Sequence, residues 1–315
     1  MNLRSELKGA ISSLALVGCV VLAAVSIDFD IPGQALLQTL RFHLGGAMLL
    51  GVLALFIIGS WRRAILFGLV AAVSLGEGGW FVYRLQALRA EAAEAPRAPF
   101  MQMLSFNMLN GNAQNGQRIA EYIKASGADV VIALEARPVF AHLADLATVY
   151  PHRLGCERER SCDLMVLSKT PLTEGVFHDL GPTWNNRLIT ARTVIGGERI
   201  NLVAAHMVKP YFDYASVIEA RTLRRALDAI DGPLVLGGDF NAAPWSDNIE
   251  WLVRNARLIS GPGYPATWPV ELGPLGVPID NVFTRDGLFI ETLQAMPDAL
   301  GSNHRGLIAH ISRAN

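Results

Sequence analysis

Three apolar stretches occupy most of the first 83 residues, and they divide the chain into two parts that cannot share one solvent. Gly9–Ile27 carries no charge over 19 residues, Leu44–Gly59 is equally apolar, and Ala64–Tyr83 is interrupted only by Glu77. With its flanks, each is long enough to cross a hydrocarbon core of about 30 Å. They account for a mean hydropathy of +0.30 and 51% hydrophobic residues in a chain of 315. A signal segment is the competing reading of the first stretch. Two further spans follow at once, so the pattern predicts a membrane domain over residues 1–83, with helices at about 9–27, 42–60 and 64–83.

Basic residues orient these helices. Arg4 and Lys8 precede the first, and Arg62 and Arg63 lie between the second and third. The first loop holds Asp28 and Asp30 against Arg41 alone. By the positive-inside rule the N-terminus and second loop face the cytoplasm, and three crossings put everything after Tyr83 outside. Arg84 and Arg89 run against this trend, while Trp80, Phe81 and Tyr83 suit an outer aromatic belt. The expected location is a bacterial cytoplasmic (inner) membrane, multi-pass, with the soluble part on the periplasmic or extracellular side. Glu77 either reaches the interface or is a functional carboxylate within the membrane.

The cysteines fit this topology. Cys19 lies mid-span, and Cys156 and Cys162 flank a short, highly charged loop. Without partner histidines the pair makes a poor zinc site. A disulfide closing the loop is expected outside the cytoplasm, with two unrelated thiols as the alternative. Residues 84–99 form an Ala/Glu/Arg tether closed by Pro96 and Pro99, and they are expected to extend the third helix and then break.

From Phe100 onward there are 19 Lys and Arg against 22 Asp and Glu, a net of −3. That balance lacks the basic face expected of a protein holding long nucleic acid by its phosphates. Arg221, Arg224 and Arg225 read as the solvated side of a helix whose stripe is Val217, Ala220, Leu223, Leu227 and Ile230. Strands are predicted at 101–107, 129–135, 164–168, 189–194, 200–206 and 234–239. Two more follow near 288–295 and 305–311. Helices are predicted at 117–126, 138–147, 213–230 and 246–255. This order suits one α/β domain over 100–315.

Polar residues recur at the strand ends. Asn107 closes the first strand and Glu135 the second, His206 follows Leu-Val-Ala-Ala, and Asp239 and Asn241 follow the apolar run Leu234–Leu236. Residues i and i+2 of an extended segment face one side, so Asp239 and Asn241 aim a carboxylate and a carboxamide into one spot. Gly237 and Gly238 let another group approach that strand closely. Asp280 with Asn281, and Asn303 with His304, complete the set. Each has an ordinary reading as a turn or core residue. Together they point to one ligand-gathering sheet edge.

As a set, Asn107, Glu135, His206, Gly238–Asn241, Ile279–Asp280 and Ser302–His304 resemble the endonuclease/exonuclease/phosphatase superfamily, in its motif order, over roughly residues 100–312. The stretch from Thr267-Trp268-Pro269 to Pro278-Ile279-Asp280 further resembles membrane-anchored bacterial members, some associated with glycopeptide resistance and polyprenyl pyrophosphate turnover. The resemblance implies a four-layer α/β/β/α sandwich of the DNase I-like type, preceded here by three transmembrane helices. It also implies hydrolysis of phosphate esters dependent on Mg²⁺ or Mn²⁺. Asn107, Glu135 and Asn303 would supply oxygen ligands to the metal. Asp239 would orient or deprotonate water, Asn241 would brace a phosphate oxygen, and Asp280 would fix the ring of His304. His206 and His304 would share proton transfer and phosphate contact. Two positions depart from the pattern: Asn303 and Asn281 stand where the family usually has aspartate and histidine. Asn303 keeps an oxygen but loses a charge, which should weaken or reshape metal binding.

The leading expectation is a membrane-tethered phosphoesterase acting outside the cytoplasm on a lipid-linked phosphate or pyrophosphate, with Tyr211 and Phe212 as exposed aromatics after His206. The alternatives are an exported nuclease of the same chemistry and a catalytically silent module that binds phospholipid or cell-wall precursors. Nothing in the chain assigns an oligomeric state.

Overall fold

A computed structural model describes residues 3–27, 32–93, 97–211 and 214–314. Asp28, Asp30, Glu94, Pro96 and Phe212 lie outside the described residues. The chain separates into two compact units. The first gathers Met1–Arg84 with the short segments Pro210–Tyr214 and Trp245–Asp247, and the second holds the remainder.

In the first unit, α1 (Leu3–Ser26), the short α2 (Gln34–Thr39), α3 (Arg41–Ile57) and α4 (Trp61–Ala92) follow one another. By length and composition α1 and α4 can cross a bilayer, and α3 is a shorter apolar helix of 17 residues. Their shared core includes Leu22, Val52, Leu55, Ala64 and Ala71. Glu77 does not stand alone. Its Oε2 lies 2.9 Å from Nη1 of the fully buried Arg41, whose Nη2 donates to the Val25 carbonyl at 2.9 Å. A buried guanidinium needs such partners, because desolvating an unpaired charge is costly. α4 runs past Tyr83 to Ala92, as the tether's composition predicts.

In the second unit the first strand, β1 (Arg97–Asn107), starts four residues earlier than expected, because Arg97, Ala98 and Pro99 pair with the last strand. It continues through α5 (Gly116–Ala125), β2 (Val130–Leu134), α6 (Leu143–Leu146), β3 (His152–Gly155), β4 (Leu164–Ser168), β5 (Thr173–His178), β6 (Leu188–Ile195) and β7 (Glu198–His206). Then come α7 (Ala215–Asp228), β8 (Leu234–Asp239), α8 (Asp247–Asn255), β9 (Ile259–Ser260), β10 (Asp280–Arg285), β11 (Leu288–Ala295) and β12 (Leu307–Ala314). The helix expected at 138–147 is instead a 3₁₀ segment, Arg137–His142, followed by the single turn of α6.

Two six-stranded sheets result, ordered β11-β12-β1-β2-β4-β3 and β5-β6-β7-β8-β10-β9. Each has one parallel pair, β1 with β2 and β7 with β8, and is otherwise antiparallel. Strand alternation sorts the layers. Met103, Ile132, Leu134, Leu202, Ala204, Val235 and Val282 fill the space between the sheets. The opposite parity of one sheet (Leu104, Phe106, Val131, Ala133) packs with Ile119 and Ile123 of α5. That of the other (Val203, Ala205, Leu234, Leu236) packs with Leu223 and Leu227 of α7 and Ile249 and Leu252 of α8. The result is an α/β sandwich of four layers, two sheets packed face to face with helices on the outer side of each, the architecture that the resemblance implies.

Candidate active site

The alternation that builds the inner core also aims its polar ends. Asn107 continues the parity of Met103, His206 that of Leu202 and Ala204, Asp239 that of Val235, and Asp280 that of Val282. All four therefore face the gap between the sheets. Register then sets them abreast, since Asp239 pairs with His206 on one side and with Asp280 on the other. Gly238 makes this possible. Its φ is 152°, and a Cβ there would sit 1.8 Å from the Ala205 carbonyl oxygen of β7.

Glu135 and Asn241 reach the site differently, because both follow a strand end and take left-handed backbone, with φ of 47° and 51°. Each such non-glycine residue costs about 1–3 kcal/mol, and strain of this kind gathers where side-chain placement matters. The Asn107 amide nitrogen donates to Glu135 Oε1 at 3.3 Å and to Asp239 Oδ2 at 3.0 Å, so it bridges carboxylates from the two sheets. Its Oδ1 accepts from the Leu109 N–H. Asn241 donates its backbone N–H to Asp239 Oδ1 and its side-chain amide to the Met207 carbonyl, both at 2.8 Å.

Two imidazoles face the same carboxylate. His304 Nδ1 is 2.8 Å from Asp280 Oδ2, and His206 Nδ1 is 2.9 Å from Asp163 Oδ2. Their Nε2 atoms stand 4.0 and 3.9 Å from Asp239 Oδ2. A carboxylate on Nδ1 fixes the ring and leaves Nε2 to work. Burial alone would lower the His304 pKa, but the charge and hydrogen bond of Asp280, with Asp239 and Glu135 behind them, raise it to about 9. Burial and the neighbouring Asp280 push the Asp239 carboxyl up, against the pull of both histidines. At Asp163 burial is outweighed by His206 and Arg187, and the carboxyl is held below its ordinary value.

Asp163, Arg187 and Ser302 complete the site in roles that strand-end reasoning missed. Arg187 Nε lies 3.4 Å from Asp163 Oδ2. Ser302 Oγ donates to the Asn107 carbonyl at 2.7 Å and accepts from the His304 N–H, tying the end of β1 to the His304 turn. Asp163 and Arg187 each precede a strand, β4 and β6, that runs antiparallel to the neighbour carrying Glu135 or His206. A strand's start lies at the same edge as its antiparallel neighbour's end, so inspecting strand starts as well as ends would have found both. Asp280 likewise begins β10 rather than ending a strand.

The donor set fits a hard divalent cation. Glu135 and Asp239 converge with only one amide between them, and the buried Oδ1 atoms of Asp280 and Asn303 have no hydrogen-bond partner among the described residues. Oxygen donors of this kind suit Mg²⁺ or Mn²⁺. Asp239, Asp280 and His304 also bring ligand atoms within 4.8 Å of one another. In that trio Asp280 already occupies Nδ1 of His304, which leaves Nε2 as the ring's free nitrogen. No hydrogen bond joins Asn303 to Asn107 or Glu135, and Asn281 is turned away, donating to the Pro278 carbonyl at 3.0 Å.

The sequence profile of the endonuclease/exonuclease/phosphatase family matches residues 104–304. No curated protein matches the chain. Among solved structures it is similar to an endonuclease/exonuclease/phosphatase from Beutenbergia cavernae DSM 12333, at 20% identity over 69% of this chain and 72% of that one, with a TM-score of 0.55. It is also similar to sphingomyelinase C from Streptomyces griseocarneus (18% identity, 69% and 100% covered, TM-score 0.52). A third is beta toxin from Staphylococcus aureus, in a mutant form with bound magnesium ions (17% identity, 67% and 99% covered, TM-score 0.50). At these identities the likeness is one of fold.

Proposed function

The chain belongs to the endonuclease/exonuclease/phosphatase family, and from that premise we propose that it is a membrane-anchored, divalent-metal-dependent phosphoesterase acting on a lipid-linked phosphate or pyrophosphate outside the cytoplasm. The observation that carries the chemistry is the meeting of two carboxylate-held imidazoles over Asp239, itself bridged through Asn107 to Glu135.

Glu135 and Asn303, joined by Asn107 on turning its amide, whose nitrogen otherwise faces Glu135 and Asp239, would hold the cation. Bound there, it supplies positive charge that polarises a phosphate oxygen. Asp239 orients the attacking water and takes its proton, aided by burial and Asp280, which push its carboxyl above the ordinary value. His304, protonated at neutral pH, donates from Nε2 to a phosphate oxygen while Asp280 steadies its charge. His206, held by Asp163, stands on the other side of Asp239 and serves the leaving oxygen. Asn241 braces the phosphate with the amide hydrogen that Met207 does not use.

The lipid-linked substrate and the outside location rest on the apolar helices, the basic residues near their ends and the Cys156–Cys162 disulfide. The test is a panel of polyprenyl diphosphate, phospholipid, sphingomyelin, nucleotides and single- and double-stranded DNA, offered to the full chain in detergent with Mg²⁺ or Mn²⁺. Turnover of a lipid phosphate that is abolished by chelator and by His304→Ala is expected. A folded protein inert toward all of them overturns the reading, and salt-sensitive DNA cleavage selects the nuclease.

A further inference from the structure

Beside the candidate active site lies a cleft of about 640 Å³ whose charge pattern the hydrolytic residues do not account for. Asn110, Asp163 and Arg187 line it and belong to the site as well. The Asn110 N–H donates to Glu135 Oε2 at 2.8 Å, and Asp163 holds His206. The cleft therefore opens on the His206 side, where the leaving oxygen is expected.

Three guanidiniums reach this cleft from three separate segments. Arg137 follows Glu135 by two residues, Arg160 sits in the loop closed by the Cys156–Cys162 disulfide, and Arg187 precedes β6. Arg187 is set against the half-exposed Trp184 ring, with its central carbon 5.1 Å from the ring centroid. The carboxylates of the wall are all matched. Glu157 lies 3.7 Å from Arg153, Glu159 lies 3.3 Å from Arg137, and Asp163 has His206 and Arg187. Among the described residues Arg160 has no such partner. A part of the chain that carries a net of −3 thus keeps one uncommitted guanidinium and one aromatic-braced guanidinium at a single cleft.

We propose that this cleft is an anion subsite for a second phosphoryl group, carried by the substrate on the leaving side of the scissile phosphate and anchored by Arg160 and Arg187. Guanidinium is the side chain best matched to phosphoryl oxygens, through paired N–H donors. The inference rests on the phosphoesterase reading and narrows its substrate to diphosphates. Water adds to the scissile phosphorus and gives a proton to Asp239. The bond to the bridging oxygen breaks, and that oxygen leaves with the electron pair on the second phosphoryl group, taking a proton from His206. The products are inorganic phosphate and a monophosphate ester.

The test compares methylenediphosphonate with methylphosphonate by titration calorimetry on the full chain in detergent and excess Mg²⁺. Turnover of bis(p-nitrophenyl) phosphate is followed in parallel. Wild-type protein should bind the diphosphonate roughly tenfold more tightly, as expected for a charge-assisted contact. Arg160→Gln alters an exposed side chain outside the catalytic cluster. It should erase that advantage and leave methylphosphonate binding and diester turnover unchanged. Equal affinity for the two ligands in wild type overturns the inference, as does an advantage that survives Arg160→Gln or a loss that falls on both ligands alike. If no phosphate ester is turned over while Arg160-dependent diphosphonate binding persists, the hydrolase reading fails and the subsite stands. Turnover without a diphosphonate advantage sinks the subsite alone.

Discussion

Asp163 and Asp280 do the same work on two rings from different surroundings. Asp280 is buried, with one oxygen on His304 and the other without a hydrogen-bond partner, whereas Asp163 is partly exposed and shared with Arg187. Asp163→Asn should therefore spare the fold and strike the chemistry. It removes the negative charge that holds the His206 ring and pairs with Arg187, and the amide can turn its NH2 toward the ring instead. A fall in kcat of about 10²-fold with little change in KM is expected, in line with the loss of one positioned general acid. Steady-state kinetics on a soluble diester check this, and an unchanged kcat removes His206 from the mechanism. At His304 the sign of the pH effect is determined by its raised pKa. Folding strengthens proton binding from an ordinary 6.5 to about 9. The stability this contributes is full below 6.5, declines as pH climbs and is gone above about 9. Thermal melts in chelator from pH 6 to pH 10, pH values set by that shift, should show this slope in the wild type and not in His304→Gln.

At the scale of elements, register does more than any single contact. A one-residue slip of β8 would turn Asp239 away from the gap and bury it against α7 and α8. The two glycines before it are not equivalent. At Gly238 a Cβ would collide with backbone, the Ala205 carbonyl at 1.8 Å, while at Gly237 it would press on the tip of Ile132 at 2.9 Å. Gly238→Ala should part β7 from β8, destabilise by about 3 kcal/mol or more and abolish turnover. Gly237→Ala should cost about 1 kcal/mol, because a side-chain end can swing aside. Denaturant melts of the two variants separate these outcomes, and equal costs would refute the register argument.

The same scale explains what was legible in the sequence. β1, β2, β4, β7, β8 and β11 follow from apolar runs bounded by polar residues, and the ends of β1, β2, β7 and β8 deliver Asn107, Glu135, His206 and Asp239 to one place. β5 leaves no such trace, because nearly all of it is exposed and it forms a sheet edge. β3 and β9 are too short to show a period. Asp163 and Arg187 stayed hidden because they begin strands, and which strands run antiparallel is a tertiary property.

For the whole molecule, the proposed anchoring puts the second unit outside the cytoplasm, and the cysteines test it. The chain has three of them. Cys156 and Cys162 are joined and deeply buried, while Cys19 is free and lies in α1. A cytosol poised by glutathione and thioredoxin keeps such thiols reduced, whereas an exported domain is oxidised as it folds. The proposed topology therefore makes a count. Protein extracted from cells under acid quench and denatured without reductant should react with one equivalent of maleimide, and with three after reduction. The closed loop is short, so reduction should also cost the second unit about 2 kcal/mol by the loop-entropy relation. It should also loosen the segment that holds Arg160 at the cleft. Protease added to intact spheroplasts gives an independent reading, since an outward-facing second unit is cut or shed while the N-terminal helices stay with the membrane. Three reactive thiols in the unreduced protein, together with full protection from protease, would place the second unit inside. The lipid-linked substrate would then have to be sought on the cytoplasmic leaflet.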